Sequence, residues 1–148
     1  MTQGFPVGLE GTLKELYKEA YADLSEYAYL EDLEKYFQWM QKRSSRGFVL
    51  VSLEDKLSGF TAVDSGEAFV GGGDCEILEL VVSPACRKQG IASRLVQESV
   101  NVLRERGCKR IGIEIGINNY KSKNLFLSRF GFQFYRRYDI WDEYYKYL

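Results

Sequence analysis

Apolar residues return at helical spacing from Leu13 through Leu16, Tyr17, Ala20, Leu24, Tyr27 and Ala28, just after Thr12-x-x-Glu15. That opening has the form of a capping box, in which a hydroxyl and a carboxylate satisfy free N–H groups of a first turn, so a helix is expected here. A second, shorter helix carries Leu33, Tyr36, Phe37 and Met40 on one face and should end near Ser44-Ser45-Arg46-Gly47. The run Phe48 to Leu53 then reads as a buried strand. Glu54-Asp55-Lys56 makes a turn, and Ser58 to Val63 is the hairpin partner. Ser65 to Asp74, with Gly71-Gly72-Gly73, is a long connection, and Cys75 to Val82 is the next strand. A helix follows from about Gly90 to Arg106, Gly107 stops it, and Arg110 to Ile115 forms a further strand. Strand, helix and strand at this spacing make a βαβ unit with parallel strands. Asn118-Asn119-Tyr120 opens another helix that ends at Gly131. Two strands close the chain, one at Phe132 to Arg136 and one at roughly Tyr144 to Leu148. There is no internal repeat, linker or low-complexity stretch, so residues 1–148 are expected to form one α/β domain with a mixed sheet.

The joint between that central strand and helix carries the most chemistry. Leu80-Val81-Val82-Ser83-Pro84 ends the apolar run, and Ala85-Cys86-Arg87-Lys88-Gln89-Gly90-Ile91-Ala92-Ser93 leads into the helix. A strand that enters a helix this way points several free N–H groups at one spot, and the helix terminus adds partial positive charge. Gly90 lets the backbone come close to a ligand, Ala92 leaves the first turn uncrowded, and Arg87 and Lys88 supply full charges. The loop suits a pyrophosphate. It lacks the Gly-Lys-Ser/Thr ending of an ATP or GTP loop, and it has one glycine where a dinucleotide fingerprint needs three.

Composition narrows the classes further. A net charge of −1 argues against a dedicated nucleic-acid binder. No apolar run approaches a membrane span, and Met1-Thr2-Gln3-Gly4 does not open a signal peptide. Three cysteines, Cys75, Cys86 and Cys108, lie far apart with no Cys-x-x-Cys pair. A disulfide framework or a metal site is therefore not expected, and a reducing cytoplasm fits best. The chain has no histidine, so no imidazole can act as base, nucleophile partner or ligand.

The stretch Leu-x-Val-x-Pro followed by Arg87-x-x-Gly90-x-Ala92 and a helix resembles the acetyl-coenzyme A loop of the GNAT N-acetyltransferase family. The order of elements is similar to the GNAT fold over nearly the whole chain, and Phe130-Gly131-Phe132 matches the Gly-Phe that ends the family's fourth helix. The resemblance implies a mixed, mostly antiparallel sheet with a central parallel βαβ unit and helices on both faces. It implies acetyl-coenzyme A as co-substrate, held by Leu80, Val81, Val82 and the loop residues Arg87, Lys88, Gln89, Gly90, Ile91, Ala92 and Ser93. A family asparagine that binds coenzyme A falls near Asn119. The spacing to Gly131 is one residue longer than usual, which leaves Asn118, Asn119 and Tyr120 as alternatives. The family's first strand should lie within Met1 to Gly8, where Gly4 and Pro6 suit a strand poorly. Many relatives place a tyrosine four residues before the helix-ending glycine as acid for the thiolate. Here that position is Leu127, beside Phe126.

An amine must lose a proton before it attacks a thioester, which costs about 4–5 kcal/mol for a lysine-like group at pH 7. Two carboxylates on the central strand, Glu76 and Glu79, are the candidate bases, each matching a position used in some branch of the family. Regular alternation would put them on opposite faces, unless the family's bulge shifts the register. A main-chain N–H near Val81 or Val82 would steady the developing oxyanion, a contribution of about 3 kcal/mol. Tyr120 and Tyr138 are substitutes for the missing acid, although most of the eleven tyrosines must be core or surface residues. Cys86, with no histidine partner, reads as a packing residue.

The resemblance implies a small-molecule or peptide amine as acceptor. Acidic residues dominate the first two helices (Glu10, Glu15, Glu19, Asp23, Glu26, Glu31, Asp32 and Glu34) and would favour a cation if they bordered the pocket. Their spacing is also that of an ordinary solvated face. Neither nucleic acid nor membrane is expected as partner, and a homodimer is allowed. The competing class is a module that binds acetyl-coenzyme A without catalysis.

Overall fold

The computed structural model describes residues 6–22, 24, 32–44, 48–53 (main chain only), 56–66 and 70–148. Helices α1 (Glu10–Tyr21) and α2 (Leu33–Arg43) precede strands β1 (Phe48–Leu53), β2 (Lys56–Asp64) and β3 (Cys75–Val82). A short 3-10 turn (Pro84–Cys86) leads to α3 (Ile91–Glu105) and β4 (Arg110–Gly116). Helix α4 (Tyr120–Asn124) continues as a π turn (Leu125–Arg129) before β5 (Gln133–Tyr138) and β6 (Trp141–Tyr147). The sheet order is β1-β2-β3-β4-β6-β5. Every neighbouring pair is antiparallel except β3 and β4, which lie parallel as the crossover through α3 requires.

Each face of the sheet buries its own core. On one, Leu95, Val96, Val100 and Leu103 of α3 pack on Val63, Ile77, Ile111 and Ile113, joined by Phe126 and Phe132. On the other, Leu13, Leu16 and Tyr17 of α1 and Phe37 and Met40 of α2 pack on Phe60, Ala62 and Val81. Each such side chain, fully withdrawn from water, contributes about 1.5–3 kcal/mol. Helices on both faces of a mixed, mostly antiparallel sheet are the arrangement the chain order implies.

Three expectations change in detail. The first helix starts at Glu10, with Leu9 at its cap and no side-chain cap bond, so Thr12 lies inside the helix rather than in a capping box. Gly8, at φ +83°, turns the chain early enough for this. The helix ends at Tyr21, and Tyr27 and Ala28 fall outside the described residues, as do Glu54, Asp55, Ser45 to Gly47 and Met1 to Phe5. The last strand begins at Trp141, three residues before the expected Tyr144, after a tight turn in which Asp139 takes φ +56°. Asp142 and Glu143 fall just before the strand expected from Tyr144. They are buried in the strand because Lys123 and Arg137 pair with Asp142 and Arg136 pairs with Glu143.

The expectation of no disulfide fails. Cys75 and Cys108 form a disulfide. They are 33 residues apart in sequence, but the parallel crossover returns the chain to where it left, with Cys75 in register with Ile111. Asp74 closes the same corner by accepting the N–H groups of Lys109 (3.2 Å) and Arg110 (3.0 Å). Among the described residues this corner is the one place where three potential metal-ligating side chains meet, and two of them are joined in the disulfide. Cys86 is the free cysteine.

Candidate active site

Strands β3 and β4 part company almost at once. They pair only at Cys75 with Ile111 and Glu76 with Gly112, so β3 from Ile77 onward has no neighbour on that side. The open wedge carries two adjoining cavities. One, of about 650 Å³, runs along the loop and the start of α3. The other, of about 260 Å³, lies beneath α1 and α2.

The larger groove is lined by Leu80, Val81, Val82, Arg87, Lys88, Gly90, Ile91, Ala92 and Ser93. Asn118, Asn119 and Tyr120 close its opposite wall. Gln89, placed with these in the sequence reading, is exposed and does not line it. Gly90 caps α3 at φ +77°, and a Cβ built there would meet nothing within 4 Å. The glycine serves both the left-handed turn and the open floor beside the free N–H groups. Lys88, also left-handed at φ +64°, sharpens the same turn. Arg87 spends one guanidinium nitrogen on the Ala20 carbonyl (2.9 Å), fastening the loop to the end of α1. Across the groove Asn119 is buried and caps α4, accepting the Ser122 N–H at 3.3 Å, while Asn118 is exposed.

In the smaller cavity a bulge decides the geometry. The β2–β3 register slips between Ala62, opposite Glu79, and Val63, opposite Ile77, so Leu78 is the extra residue. One added residue reverses the alternation, and Glu76 and Glu79 line the same cavity rather than opposite faces. They differ in surroundings. Glu76 sits at the closed end, paired with Arg43 at 2.8 Å, and Arg43 also holds Asp64 at 3.1 Å. Glu79 sits in the open part. Its carboxylate accepts the hydroxyls of Tyr21 and Tyr36 and the N–H of Leu80 (3.2 Å). Burial pushes both carboxyls up to about 7. Arg43 opposes the rise at Glu76, where Glu114 and Asp64 add to it; the two tyrosines and Leu80 oppose it at Glu79. Glu114 on β4 lines the cavity as a third carboxyl, raised by burial and by Glu143. Tyr17, Tyr36, Trp39 and Trp141 supply aromatic walls.

The antiparallel ladder also sorts the main-chain donors. The bond from Ser83 N–H to Ser58 (2.8 Å) and the pairing of Val81 with Phe60 turn the amides of Val81 and Ser83 toward β2. Those of Leu80 and Val82 therefore face the wedge. Of the two amides expected from sequence, Val81 is excluded.

The described acidic residues of the helices line neither cavity. Glu10 and Glu34 pair with Lys14, Glu15 pairs with Lys18, and Asp32 caps α2. Asp23, Glu26 and Glu31 lie outside the described residues. Among the described residues the carboxyls lining the smaller cavity come from the strands instead. Leu127 lines neither cavity, Tyr138 is 66% exposed on β5, and Tyr120 is 70% exposed at the groove. Sequence reasoning missed Tyr21 as a site residue, together with Arg43, Trp39, Glu114 and Trp141. The one available signal was Tyr21 standing four residues after the core residue Tyr17.

Comparison with known proteins agrees with this geometry. The model of the acetyltransferase (GNAT) family matches residues 12–132. An uncharacterised N-acetyltransferase of Archaeoglobus fulgidus is 30% identical over 118 residues, covering 77% of this chain and 80% of that protein. Another from Methanocaldococcus jannaschii is 30% identical over 125 residues, covering 80% of this chain and 54% of that longer protein. Among solved structures, PH1933 from Pyrococcus horikoshii superposes with a TM-score of 0.80 at 25% identity, over 99% of this chain and 95% of that one. The PaiA N-acetyltransferase of Thermoplasma acidophilum, solved with coenzyme A, is similar in fold, with a TM-score of 0.74 at 17% identity over the whole of both chains.

Proposed function

The chain belongs to the acetyltransferase (GNAT) family, and on that premise we propose that it moves an acetyl group from acetyl-coenzyme A to a primary amine by direct transfer in a ternary complex. The observation that carries this reading is the wedge between β3 and β4, where a phosphate-suited groove meets a cavity holding a buried carboxyl. Residues 1–148 act as one catalytic domain. The N–H groups at the start of α3, with Arg87 and Lys88, bind the pyrophosphate. Val82 donates its N–H to the thioester oxygen, since the N–H of Leu80 is held by Glu79, and Glu79 takes the proton from the attacking nitrogen. Glu79 is preferred to Glu76 because Arg43 occupies Glu76 and β3 and β4 are still paired there. With Cys86 lacking any histidine, direct attack needs no acyl-enzyme. The three carboxyls and aromatic walls favour a cationic amine. Release of free thiol from acetyl-coenzyme A, followed across polyamines, amino acids, aminoglycosides and peptide N-termini, tests the reading. Silence with every amine would leave a binding module.

Two variants test the groove. Gly90→Asp puts a side chain and a negative charge where the phosphates are to lie, at a backbone angle suited to glycine. The folded variant is expected to lose the thermal stabilisation that coenzyme A confers by mass action, read as a flat melting temperature in titration. Asn119→Ala is expected to weaken coenzyme A by about 1–3 kcal/mol in calorimetry, the cost of one lost hydrogen bond. Asn118→Ala, from an exposed position, should change it less.

A further inference from the structure

The acid that relatives draw from α4 has no counterpart at Leu127, yet among the described residues a phenol stands where it is needed. Among the described residues four line both cavities: Tyr21, Leu80, Asn119 and Ser122. Leu80 and Asn119 have no acidic side-chain proton, and an aliphatic hydroxyl is far too weak an acid. Of these four, Tyr21 alone carries an O–H of suitable strength, with a reference pKa near 10. Its hydroxyl lies 3.0 Å from the Leu80 carbonyl oxygen and bonds to Glu79 Oε1. Resting on the transfer reading above, we propose that Tyr21 protonates the departing thiolate and that Glu79 restores the proton to Tyr21.

The protons and electrons balance. The amine nitrogen forms its bond to the thioester carbon and passes a proton to the Glu79 carboxylate. The carbon–sulfur bond breaks with its electron pair going to sulfur, and sulfur takes the Tyr21 hydroxyl proton. The tyrosinate then takes the proton held on Glu79, so both groups return to their starting forms. The net transfer runs from a carboxyl at about 7 to a thiol whose reference value is near 8.5, and is downhill. Among the described residues the groups around Tyr21 include Tyr17 on α1, with ring centroids 4.7 Å away, Glu79 on β3 and, through Glu79, Tyr36 on α2. Glu76 and Glu114 share its acceptor cavity. Arg87, Lys88, Lys121 and Arg129 share its cofactor groove.

Tyr36 is the matched control, because its hydroxyl also bonds Glu79 but it lines only the acceptor cavity. Tyr36→Phe is expected to move the acid limb of the pH–rate profile and to regain its activity at high pH. Tyr21→Phe is expected to lose roughly 10²–10³-fold in kcat at every pH, with unchanged coenzyme A affinity, and to lose the alkaline limb. Difluorotyrosine in place of Tyr21 keeps ring and hydroxyl but acidifies the phenol, and should draw the alkaline limb downward. If Tyr21→Phe behaves like Tyr36→Phe, or the fluorinated protein keeps its alkaline limb, Tyr21 only positions Glu79 and the inference is overturned while acetyl transfer stands. If the unaltered protein releases no thiol with any amine, the transfer reading falls and the inference with it.

Discussion

Replacing Glu79 by glutamine is expected to lower kcat at neutral pH by roughly 10²–10⁴-fold while coenzyme A still binds. Glutamine preserves the shape and can still accept bonds from Tyr21 and Tyr36, so the change falls on the proton rather than on packing. With the Glu79 carboxyl held up to about 7 by burial, turnover of the unaltered protein should climb as pH rises through 7. In Glu79→Gln that limb should vanish, and part of the loss should return at high pH, where the amine is already neutral. Glu76→Gln should cost less activity, since its carboxyl answers to Arg43. Equal losses in the two variants would move the base assignment back to the pair. Stability should shift the opposite way. A carboxyl whose folded value is about 7 against 4.5 binds more proton in the folded state between those pH values. Its contribution therefore declines as pH rises through that window, by on the order of 3 kcal/mol at about 1.36 kcal/mol per unit. Glu79→Gln should consequently flatten the fall in stability between pH 5 and pH 8, read from denaturant midpoints.

Opening the Cys75–Cys108 disulfide is expected to cost the molecule a large share of its stability. The bond closes a sequence separation of 33 residues. Loop-closure entropy for that length gives about 3–4 kcal/mol, or roughly 10 °C in melting temperature for a chain of this size. Cys108→Ser should melt lower by that amount, and reductant should lower the unaltered protein to match it while leaving the variant unmoved. Thiol titration of the unfolded, unreduced protein should count one reactive group, Cys86. Three thiols, or a melting temperature indifferent to reductant, would show that the chain carries the pair reduced. The bond staples β3 to the turn just before β4, the same corner from which the two strands diverge to form the wedge. Its loss should therefore weaken coenzyme A binding as well as the fold.

Much of the molecule was legible because its signals are local. The β-branched run into Ser83-Pro84, the glycine at position 90 and the apolar stripe of α3 each follow from a few neighbouring residues, and their order forces a parallel crossover. The phosphate-suited loop could be placed for the same reason: main-chain donors at a helix start need only a strand, a turn and a helix in succession. What resisted reading depends on residues distant in sequence. No local pattern announces that Leu78 is the extra residue of a bulge, because that is a statement about the partner strand β2. Yet this one slip decides whether Glu76 and Glu79 share a cavity. Cys75 and Cys108 meet only after the crossover closes, and Asp142 and Glu143 are taken into the strand by pairing with Lys123, Arg136 and Arg137. Of the two readings of the acidic helices, the described residues follow the solvated face, since Glu10, Glu15 and Glu34 pair with lysines while the described carboxyls lining the cavity stand on β3 and β4. Sequence by itself determined the elements, their order and the phosphate-suited loop, because propensity, turn chemistry and periodicity act over a few residues. Only the tertiary structure decided which carboxyl is buried against which hydroxyl, since Tyr21, Tyr36 and Glu79 are brought together by two helices packing on one strand.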